Sequence, residues 1–235
     1  MVVKFITLKW GTKYGPEYVN RLYHSIKQTY SDSFEFHCFT DDYTNIDKAC
    51  QLHSLDNLPH FGVDVFTLAK IDLFNELPFE GPYVLLDLDV LILKDLKPYF
   101  DEYQFKEPRI GYCYWQDPDR IYHSYQRGDC YYNSSFVTWT GDQLKHVYDT
   151  YTDNQMAVVW KFKSFDKFMF YFCDLTIHPK GVMYAYNFGT EHPDNEPGIL
   201  HEDYYLTIFN TSGINEGKEL HEADGWAKDR WESYR

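Results

Sequence analysis

The sequence predicts an α/β protein built around a mostly parallel β-sheet that is flanked by helices. In the first hundred residues, short runs rich in β-branched and aromatic residues alternate with segments of helical spacing, a pattern typical of strands joined by crossover helices. The last of these runs, residues 83–93, is apolar almost throughout, as expected for a strand covered on both faces of a sheet. The two observations together indicate the fold class.

The predicted elements of the first half follow in a regular order. They are a strand at 2–8, a helix that begins at Pro16, a strand at 34–40, a short strand near 51–55, a helix at 66–77 and a strand at 83–93. Pro16 suits the first turn of a helix, because its fixed φ is helical and its missing N–H would have no partner there. Tyr18, Leu22 and Ile26 then recur on one face of that helix.

The second half is predicted to mix strands and helices less regularly. Its strands are expected at 109–115, 134–139, 181–188 and 204–210, its helices near 141–152 and 165–173, and a loop at 189–200. The sequence contains no internal repeat, low-complexity tract or linker. We therefore predict a single domain in two halves, 1–100 and 101–235.

The overall charge limits the partners that the chain can bind. With 22 Lys and Arg against 36 Asp and Glu, the formal net charge is −14. A basic face for double-stranded nucleic acid is not expected, since such binding depends on neutralising many phosphates. A mononucleotide remains compatible with this charge, because one metal ion and one lysine can meet its few phosphates.

The cysteines and the hydropathy indicate a soluble protein of a reducing compartment. The five cysteines are scattered and show no Cys-x-x-Cys spacing, which disfavours a disulfide framework and a zinc site. No apolar run reaches 18 residues, and the apolar stretch at the N-terminus is too short for a signal peptide. We expect a cytoplasmic protein without a membrane span.

Two aspartates, Asp87 and Asp89, interrupt the apolar run 83–93. Burying an ionised carboxylate without a partner costs several kcal/mol, so their charges require compensation. On one strand they would share a side, because side chains alternate with period two. A divalent cation between them and a diphosphate would supply the compensation, and oxygen ligands favour Mg²⁺ or Mn²⁺ over zinc.

Two other interpretations of the pair remain open at this stage. In the first, one aspartate caps a helix and the other pairs with a lysine such as Lys94. In the second, the motif belongs to a phosphatase of the haloacid dehalogenase type, in which the first aspartate is the nucleophile. That class usually carries the motif at the end of its first strand, and Leu91 stands here where a Thr or Val is expected.

Several stretches, taken in order, resemble the nucleotide-sugar glycosyltransferases of the GT-A fold. They are WGTKYGPEYVNRLYHSIKQ, FHCFTDD, LAKIDLF, VLLDLDVLIL, YYNSSFVTW, SFDKFMF and HPKGVMYAYN. Within these enzymes the chain is most similar to the group related to glycogenin and the bacterial galactosyltransferases. The resemblance implies a single GT-A, Rossmann-like domain, with a nucleotide-binding half at 1–100 and a sugar and acceptor half at 101–235. It also implies a UDP-sugar donor held with Mn²⁺ or Mg²⁺.

The resemblance also assigns residues to the donor site. The side expected to hold the nucleotide and diphosphate comprises Thr7, Lys9, Trp10, Gly11, Tyr14, Asp41, Asp42, Lys70, Asp87, Leu88, Asp89 and Ser134. Trp10 or Tyr14 can stack on a base. A carboxylate at Asp41 or Asp42 can accept a hydrogen bond from the uracil imide. The plainer interpretations are an Asx turn for the aspartate pair and a solvated surface position for Lys70.

The metal ligands and the reacting side are less completely matched. Asp87 and Asp89 are the implied metal ligands, and the third is a histidine in the family. Asn210 stands at that position here, and His221 is a second candidate. The residues implied beside the transferred sugar, and hence as catalytic candidates, are Asn133, Asp166 and Lys167, the last of which replaces a family Gln.

The resemblance implies a metal-dependent hexosyltransferase that moves glucose or galactose from a UDP-sugar to a hydroxyl acceptor, with retention of configuration. The alternatives are the phosphatase based on Asp87 and Asp89, and a nucleotide-sugar-binding protein without turnover. The second alternative is motivated by the missing histidine at Asn210.

Overall fold

The described residues, 2–62, 66–119, 130–162, 164–210 and 217–235, form ten strands in the computed structural model. In chain order the strands are β1 (Val3–Lys9), β2 (Phe34–Thr40), β3 (Gln51–Ser54), β4 (Pro82–Leu86), β5 (Val90–Ile92), β6 (Arg109–Tyr112), β7 (Tyr132–Thr140), β8 (Thr176–Ile177), β9 (Met183–Ala185) and β10 (Leu206–Ile208). Seven of them make the central sheet, in the order β3-β2-β1-β4-β7-β6-β8. The other three make a small sheet, in the order β5-β10-β9.

The central sheet is mostly parallel, as predicted. Strands β3, β2, β1 and β4 run parallel to one another, and β7 is antiparallel to both β4 and β6. The last pair, β6 and β8, is again parallel. The sheet therefore takes strands from both predicted halves of the chain, and β4 and β7 join the two halves at its centre.

Helices cover both faces of the central sheet. They are α1 (Pro16–Thr29), α2 (Lys97–Tyr103), α3 (Lys145–Lys161), α4 (Phe165–Phe172) and α5 (Gly225–Ser233), with 3₁₀ helices at Leu55–Asn57, Phe66–Phe74 and Leu220–Glu222. Alternate residues of β1 enter two different cores, as period-two alternation requires. Phe5 packs in the core that contains α1 and α5, and Ile6 packs in the core that contains α3 and α4.

Helix α1 follows its prediction closely. It begins at Pro16, and Tyr18, Leu22 and Ile26 are all buried against the sheet. Full burial of a side chain of this size contributes about 1.5–3 kcal/mol relative to leaving it exposed. The apolar face, rather than intrinsic propensity, therefore holds the helix in place.

The prediction of one continuous strand over residues 83–93 is wrong. Strand β4 ends at Leu86, and β5 belongs to the small sheet, where it pairs antiparallel with β10. The backbone changes partners between them, because the Asp87 N–H donates to the Ser135 carbonyl at 3.1 Å whereas the Asp89 carbonyl accepts from the Phe209 N–H at 3.1 Å. The two aspartates thus lie on a turn between two sheets and not on one side of a strand.

Smaller differences concern the ends of elements. The helix predicted at 66–77 is a 3₁₀ helix that ends at Phe74. Helix α3 extends to Lys161, well beyond the predicted end at residue 152, with a departure from helical geometry at Asn154. The five cysteines are free thiols. In the described part of the chain, no helix has the length and apolarity to cross a membrane.

A contact between the buried His37 and the half-buried His53 joins β2 to β3 at the edge of the sheet. The His37 Nδ1 lies 3.0 Å from the His53 Nε2, and the His37 Nε2 lies 3.3 Å from a Glu35 carboxylate oxygen. Glu35 also bonds Lys4, and the Phe79 ring stacks on His37 with centroids 3.7 Å apart. Burial, and secondarily the neighbouring His53, lowers the pKa of His37 to about 4.

This pair makes the stability depend on pH. Because the folded-state pKa of His37 lies below the unfolded value of about 6.5, its contribution is fully present above pH 6.5 and is lost as the pH falls toward 4. Between pH 6.5 and 4, protonation linked to His37 should lower the unfolding free energy of the wild type by on the order of 2 kcal/mol. We expect His37→Phe, which keeps a ring against Phe79 but cannot be protonated, not to show this decrease. Urea denaturation at several pH values measures this. His146→Phe, at an exposed histidine, should keep the wild-type profile, and an unchanged profile in His37→Phe would contradict the assignment.

Candidate functional site

A cleft of about 220 Å³ opens where β1 and β4 end. Its lining residues come from the ends of these two strands, from the segment before α1 and from the 3₁₀ helix at 66–74: Leu8, Trp10, Lys13, Tyr14, Thr67, Lys70, Asp87, Leu88 and Asp89. The carboxyl ends of parallel strands are the usual ligand-binding edge of an α/β sheet, because the loops that leave them diverge there. Six of the predicted donor-site residues are thus brought together in one cleft.

Lys70 supplies the counter-charge for Asp87. Its Nζ lies 2.6 Å from the Asp87 Oδ1 and donates to the Ser134 Oγ at 3.0 Å. The Ser135 hydroxyl donates to the other Asp87 oxygen at 3.0 Å. Lys70 is only 4% exposed, so the interpretation of a solvated surface lysine is wrong. The predicted alternative partner, Lys94, instead lies over the Tyr205 ring and donates to the Asp203 carbonyl.

Asp89 has no lysine or arginine at ion-pair distance among the described residues. Withdrawal from bulk water, and then the charge of Asp87, raise the pKa of its carboxyl to about 7. The Tyr14 hydroxyl lies 3.5 Å from its Oδ2 and donates to a Glu219 oxygen at 3.1 Å. Burial and these two carboxylates also raise the pKa of Tyr14 well above its usual value, so the phenol stays protonated as a donor. The arrangement leaves negative charge concentrated on one side of the cleft.

The C-terminal part of the chain contacts this side of the cleft through Lys13 and Tyr14. Lys13 forms an ion pair with Glu219 at 3.0 Å, and the Tyr18 hydroxyl lies 2.8 Å from the His221 Nδ1. The 3₁₀ helix at Leu220–Glu222 is thereby attached to the start of α1. His221, a predicted metal ligand, uses one ring nitrogen for this contact with Tyr18.

Asn210, the other candidate for a third metal ligand, comes directly after Phe209 in the chain. The Phe209 N–H donates to the Asp89 carbonyl. Its side-chain Oδ1 is buried and accepts no hydrogen bond from the residues that the structure describes. Over the same residues, no three His, Cys, Asp or Glu side chains form a group that could hold a metal ion. By the chemistry of their donor atoms, two carboxylates and an amide oxygen that lacks a hydrogen-bond donor are ligands of the type that Mg²⁺ and Mn²⁺ prefer.

The predicted sugar-side residues surround Ser134. The Asp166 Oδ1 accepts a hydrogen bond from the Ser134 N–H at 3.1 Å, and burial raises the pKa of this carboxyl while Lys70 opposes the shift. The Asn133 Oδ1 accepts from the Ser135 N–H at 3.0 Å, so this side chain bonds to the backbone of its own strand, β7. Lys167 lies in the first turn of α4, where its N–H donates to the Ser164 hydroxyl. Asp166 and Ser134 are therefore connected to the cleft through Lys70.

The residues predicted to hold the uridine divide into two groups. Trp10 and Tyr14 line the cleft, and Asp41 holds the adjoining loop by accepting from the Gly11 N–H at 2.8 Å. Gly11 has φ +58°, a left-handed conformation that glycine adopts without strain. Lys9, at 4.0 Å from Asp41, is buried beneath this loop.

Two predicted contacts do not reach the cleft in this structure. Thr7 is fully buried in β1 and presents no surface to a ligand. The Asp42 carboxylate accepts from the Thr44 N–H and hydroxyl, which is the Asx turn considered as the plainer interpretation. Because an Asx turn involves only neighbouring residues, two aspartates in sequence are compatible with a turn as well as with a binding site.

Sequence reasoning missed two residues that line the cleft and one that contacts its lining. Lys13 and Thr67 line it, and Glu219 reaches it through Tyr14 and Lys13. Lys13 stands within the stretch WGTKYG that carried the resemblance, so its position was a usable signal. Glu219 had no such signal, because it is 205 residues away from its partner Tyr14 in the chain.

The comparisons with known proteins concern the fold. No protein-family profile and no curated protein sequence matches the chain. Among solved structures, the galactosyltransferase LgtC in complex with donor and acceptor sugar analogues is 11% identical, with a TM-score of 0.64 over 98% of this chain and 94% of that one. GlyE, a glycosyltransferase of Streptococcus pneumoniae, is 11% identical with a TM-score of 0.60, over 99% of this chain and 60% of its own.

Mouse xyloside xylosyltransferase 1 is similar as well, at 10% identity and a TM-score of 0.56 over 79% of this chain and 87% of that one. These structures are glycosyltransferases of the GT-A fold. The chain therefore has the GT-A fold, and the predicted fold class is confirmed.

Proposed function

We propose that the protein is a metal-dependent glycosyltransferase that transfers a hexose from UDP-glucose or UDP-galactose to a hydroxyl acceptor. The observation that carries the proposal is the cleft at the ends of β1 and β4. There the turn with Asp87 and Asp89 faces the buried Lys70 and two aromatic side chains, on a GT-A fold. The LgtC structure, with its donor and acceptor sugar analogues, supports the proposal by likeness of fold.

Different residues of the cleft would contact different parts of the UDP-sugar donor. Trp10 and Tyr14 offer aromatic faces to the uracil, and Lys70 offers a fixed positive charge to the diphosphate. Asp87 would accept from the ribose, while Asp87, Asp89 and the Asn210 amide oxygen would hold Mn²⁺ or Mg²⁺. When bound, the cation supplies positive charge for the diphosphate of the departing UDP.

As the glycosidic bond breaks, negative charge develops on the UDP leaving group, and groups that are already in place must stabilise it. Lys70 is already oriented by Asp87 and Ser134, so it needs little reorganisation as negative charge develops on the UDP. Asp166, joined to Ser134, would orient hydroxyls of the transferred sugar. By the family resemblance we propose transfer with retention of configuration.

The two alternative functions fare differently. The phosphatase interpretation loses support, because the fold is GT-A. A binding protein without turnover keeps one supporting observation, the asparagine at position 210 in place of a histidine. Binding and turnover are therefore measured separately in the test of the proposal.

With Mn²⁺ and UDP present, we expect the protein to unfold at a higher temperature than with either alone. At a ligand concentration a hundred times Kd, binding to the native state adds about 2.7 kcal/mol. Incubation with UDP-glucose or UDP-galactose and Mn²⁺ should then release UDP slowly, as water replaces the acceptor. Stabilisation without UDP release from any nucleotide sugar would favour the binding protein. Absence of both effects, with hydrolysis of p-nitrophenyl phosphate, would reject the proposal.

A further inference from the structure

Another cavity, of about 220 Å³, lies between α1 and α5, and we call it the α1–α5 pocket. Its lining residues are Glu17, Asn20, Arg21, His24, Tyr234 and Arg235. The first four recur at helical spacing on one face of α1, and the last two directly follow α5. None of the six lines the cleft at the ends of β1 and β4, so the two sites are separate.

The guanidinium group of Arg21 is held in place by an aromatic ring and not by an acid. Its central carbon lies 4.3 Å from the centroid of the Trp231 ring, in a cation–π contact. Among the residues that the structure describes, Arg21 forms no ion pair and donates no hydrogen bond. A guanidinium group has five N–H donors in a fixed planar arrangement. Those of Arg21 are therefore available to a ligand of the pocket.

Glu17 lies one helical turn before Arg21, but its carboxylate has a different position. Both of its oxygens fold back over Gly15, into the space that a Cβ on Gly15 would need. A negative charge is favourable there, because the first turn of α1 has N–H groups without partners and the positive end of the helix dipole. The carboxylate is thus directed toward the N-terminus of α1, and Arg21 lies in the opposite direction along the helix.

Arg235 brings a second positive charge to the pocket. Its guanidinium lies 3.8 Å from a Glu232 oxygen, and the two side chains are 69% and 46% exposed. Exposed ion pairs contribute little to stability, so Arg235 can turn toward a ligand at small cost. Burial, and then the like charge of Arg235, lower the pKa of Arg21. Two mutually repelling cations therefore face one pocket, in a chain whose formal net charge is −14.

The other polar side chains of the pocket form its walls. The His24 Nε2 lies 3.0 Å from a carboxylate oxygen of Asp47, and the His24 Nδ1 lies 3.3 Å from the Tyr234 carbonyl oxygen. The Asn20 amide donates to the Asn45 carbonyl and accepts from the Asp47 N–H. These contacts attach the loop at 45–47 and the end of the chain after α5 to α1. The two arginines are consequently the groups that can bind a ligand.

We propose that the α1–α5 pocket binds a phosphate group, either as the free ion or as the phosphoryl end of a small ester. A guanidinium group donates two parallel hydrogen bonds to phosphate oxygens, and such charge-assisted bonds are about twice as strong as neutral ones. Two arginines against one glutamate leave the lining net positive, and a doubly charged phosphate matches two guanidinium groups better than a carboxylate does. The proposal does not depend on the proposed function, because no residue of the cleft takes part.

The test is isothermal titration and thermal unfolding with inorganic phosphate and with glycerol 2-phosphate, at a constant ionic strength set with sodium chloride. We expect both probes to bind and to raise the unfolding temperature of the wild type. Arg21→Gln should lower the affinity by about tenfold or more, because it removes hydrogen bonds between charged groups. Arg235→Gln should lower it less, since that side chain is more exposed. Arg21→Lys keeps the charge but loses the paired donors, and it should also bind more weakly.

Lys106→Gln is the matched control, because it removes an equal charge from an exposed position outside the pocket. It should bind phosphate as the wild type does. Equal affinity of Arg21→Gln and Lys106→Gln would overturn the proposal, and so would the absence of any phosphate effect on the wild type at constant ionic strength. Tighter binding of inorganic phosphate would support the site and assign it to the free ion, and tighter binding of glycerol 2-phosphate would assign it to an ester.

A second measurement locates the contact without any substitution. Phenylglyoxal modifies accessible arginines, and mass spectrometry of peptides identifies the modified positions. Phosphate should slow the modification of Arg21 and Arg235, whereas Arg109, which lies outside the pocket, should react at the same rate with and without it. Equal protection of all three arginines, or of none, would contradict the site. Thermal unfolding without phosphate verifies that each variant is folded, and this protection decides the result if Arg21→Gln is not.

Discussion

Replacing Asp89 with asparagine is expected to abolish the Mn²⁺-dependent binding of UDP. The substitution keeps the size of the side chain but removes the charge that stands beside Asp87 on the turn between β4 and β5. Changes to residues that merely support metal ligands already cost about ten- to a hundredfold in affinity, so loss of a ligand should cost about a hundredfold or more. Isothermal titration with UDP, with and without Mn²⁺, measures the effect without reference to turnover.

The same substitution should leave the ligand-free protein folded, and somewhat more stable. Asp89 and Asp87 repel each other, and asparagine removes that repulsion. Asp142→Asn is the matched control, because it removes an equal charge from an exposed position. If Asp89→Asn binds UDP in Mn²⁺ as tightly as Asp142→Asn does, the metal is held elsewhere.

Replacing Lys70 with methionine is expected to lower the free energy of unfolding by about 3 kcal/mol, the lower end of the cost of breaking a buried ion pair. The low end applies because the Asp87 side chain is 30% exposed, whereas that of Lys70 is 5% exposed. The variant leaves the Asp87 Oδ1 without its cation and removes the donor to the Ser134 hydroxyl. Urea denaturation measures the loss, and UDP affinity should fall in the same variant.

An exposed ion pair of the same length provides the control for this prediction. Lys145 and Asp149 also lie 2.6 Å apart, but their side chains are 47% and 53% exposed. Lys145→Met should therefore change the unfolding free energy by about 0.5 kcal/mol or less. The double variant Lys70→Met with Asp87→Asn should recover part of the stability that Lys70→Met loses. Equal losses in Lys70→Met and Lys145→Met would show that burial does not strengthen the Lys70 pair.

Elements defined by local patterns could be predicted well. Strands β1 and β2 and helix α1 lie within one residue of their predicted starts, since each carries its own apolar period and α1 begins at a proline. The break between β4 and β5 could not be predicted in this way. The strands on both sides of it are apolar, and the change of sheet depends on Ser135 and Phe209, which are far away in the chain.

The candidate site was predictable in part for the same reason. Asp87, Asp89, Trp10 and Tyr14 stand in stretches that resemble a known family, and they do line one cleft. No local sequence pattern indicates Glu219, and only its contact with Tyr14 brings it to the edge of the cleft. The lining of the cleft is therefore in contact with a charge that no motif of the sequence indicated.

By itself the sequence determined the α/β class, the order of the first elements and the presence of two carboxylates that require compensation. Periodicity and burial cost are properties of short segments, so they can be read without the fold. Only the tertiary structure decided that Lys70 is the partner of Asp87, that Thr7 is buried and that Asp89 lies between Tyr14 and the strand that leads to Asn210. Each of these facts depends on distances between segments that are remote in the chain, and such distances are set by packing and not by local pattern.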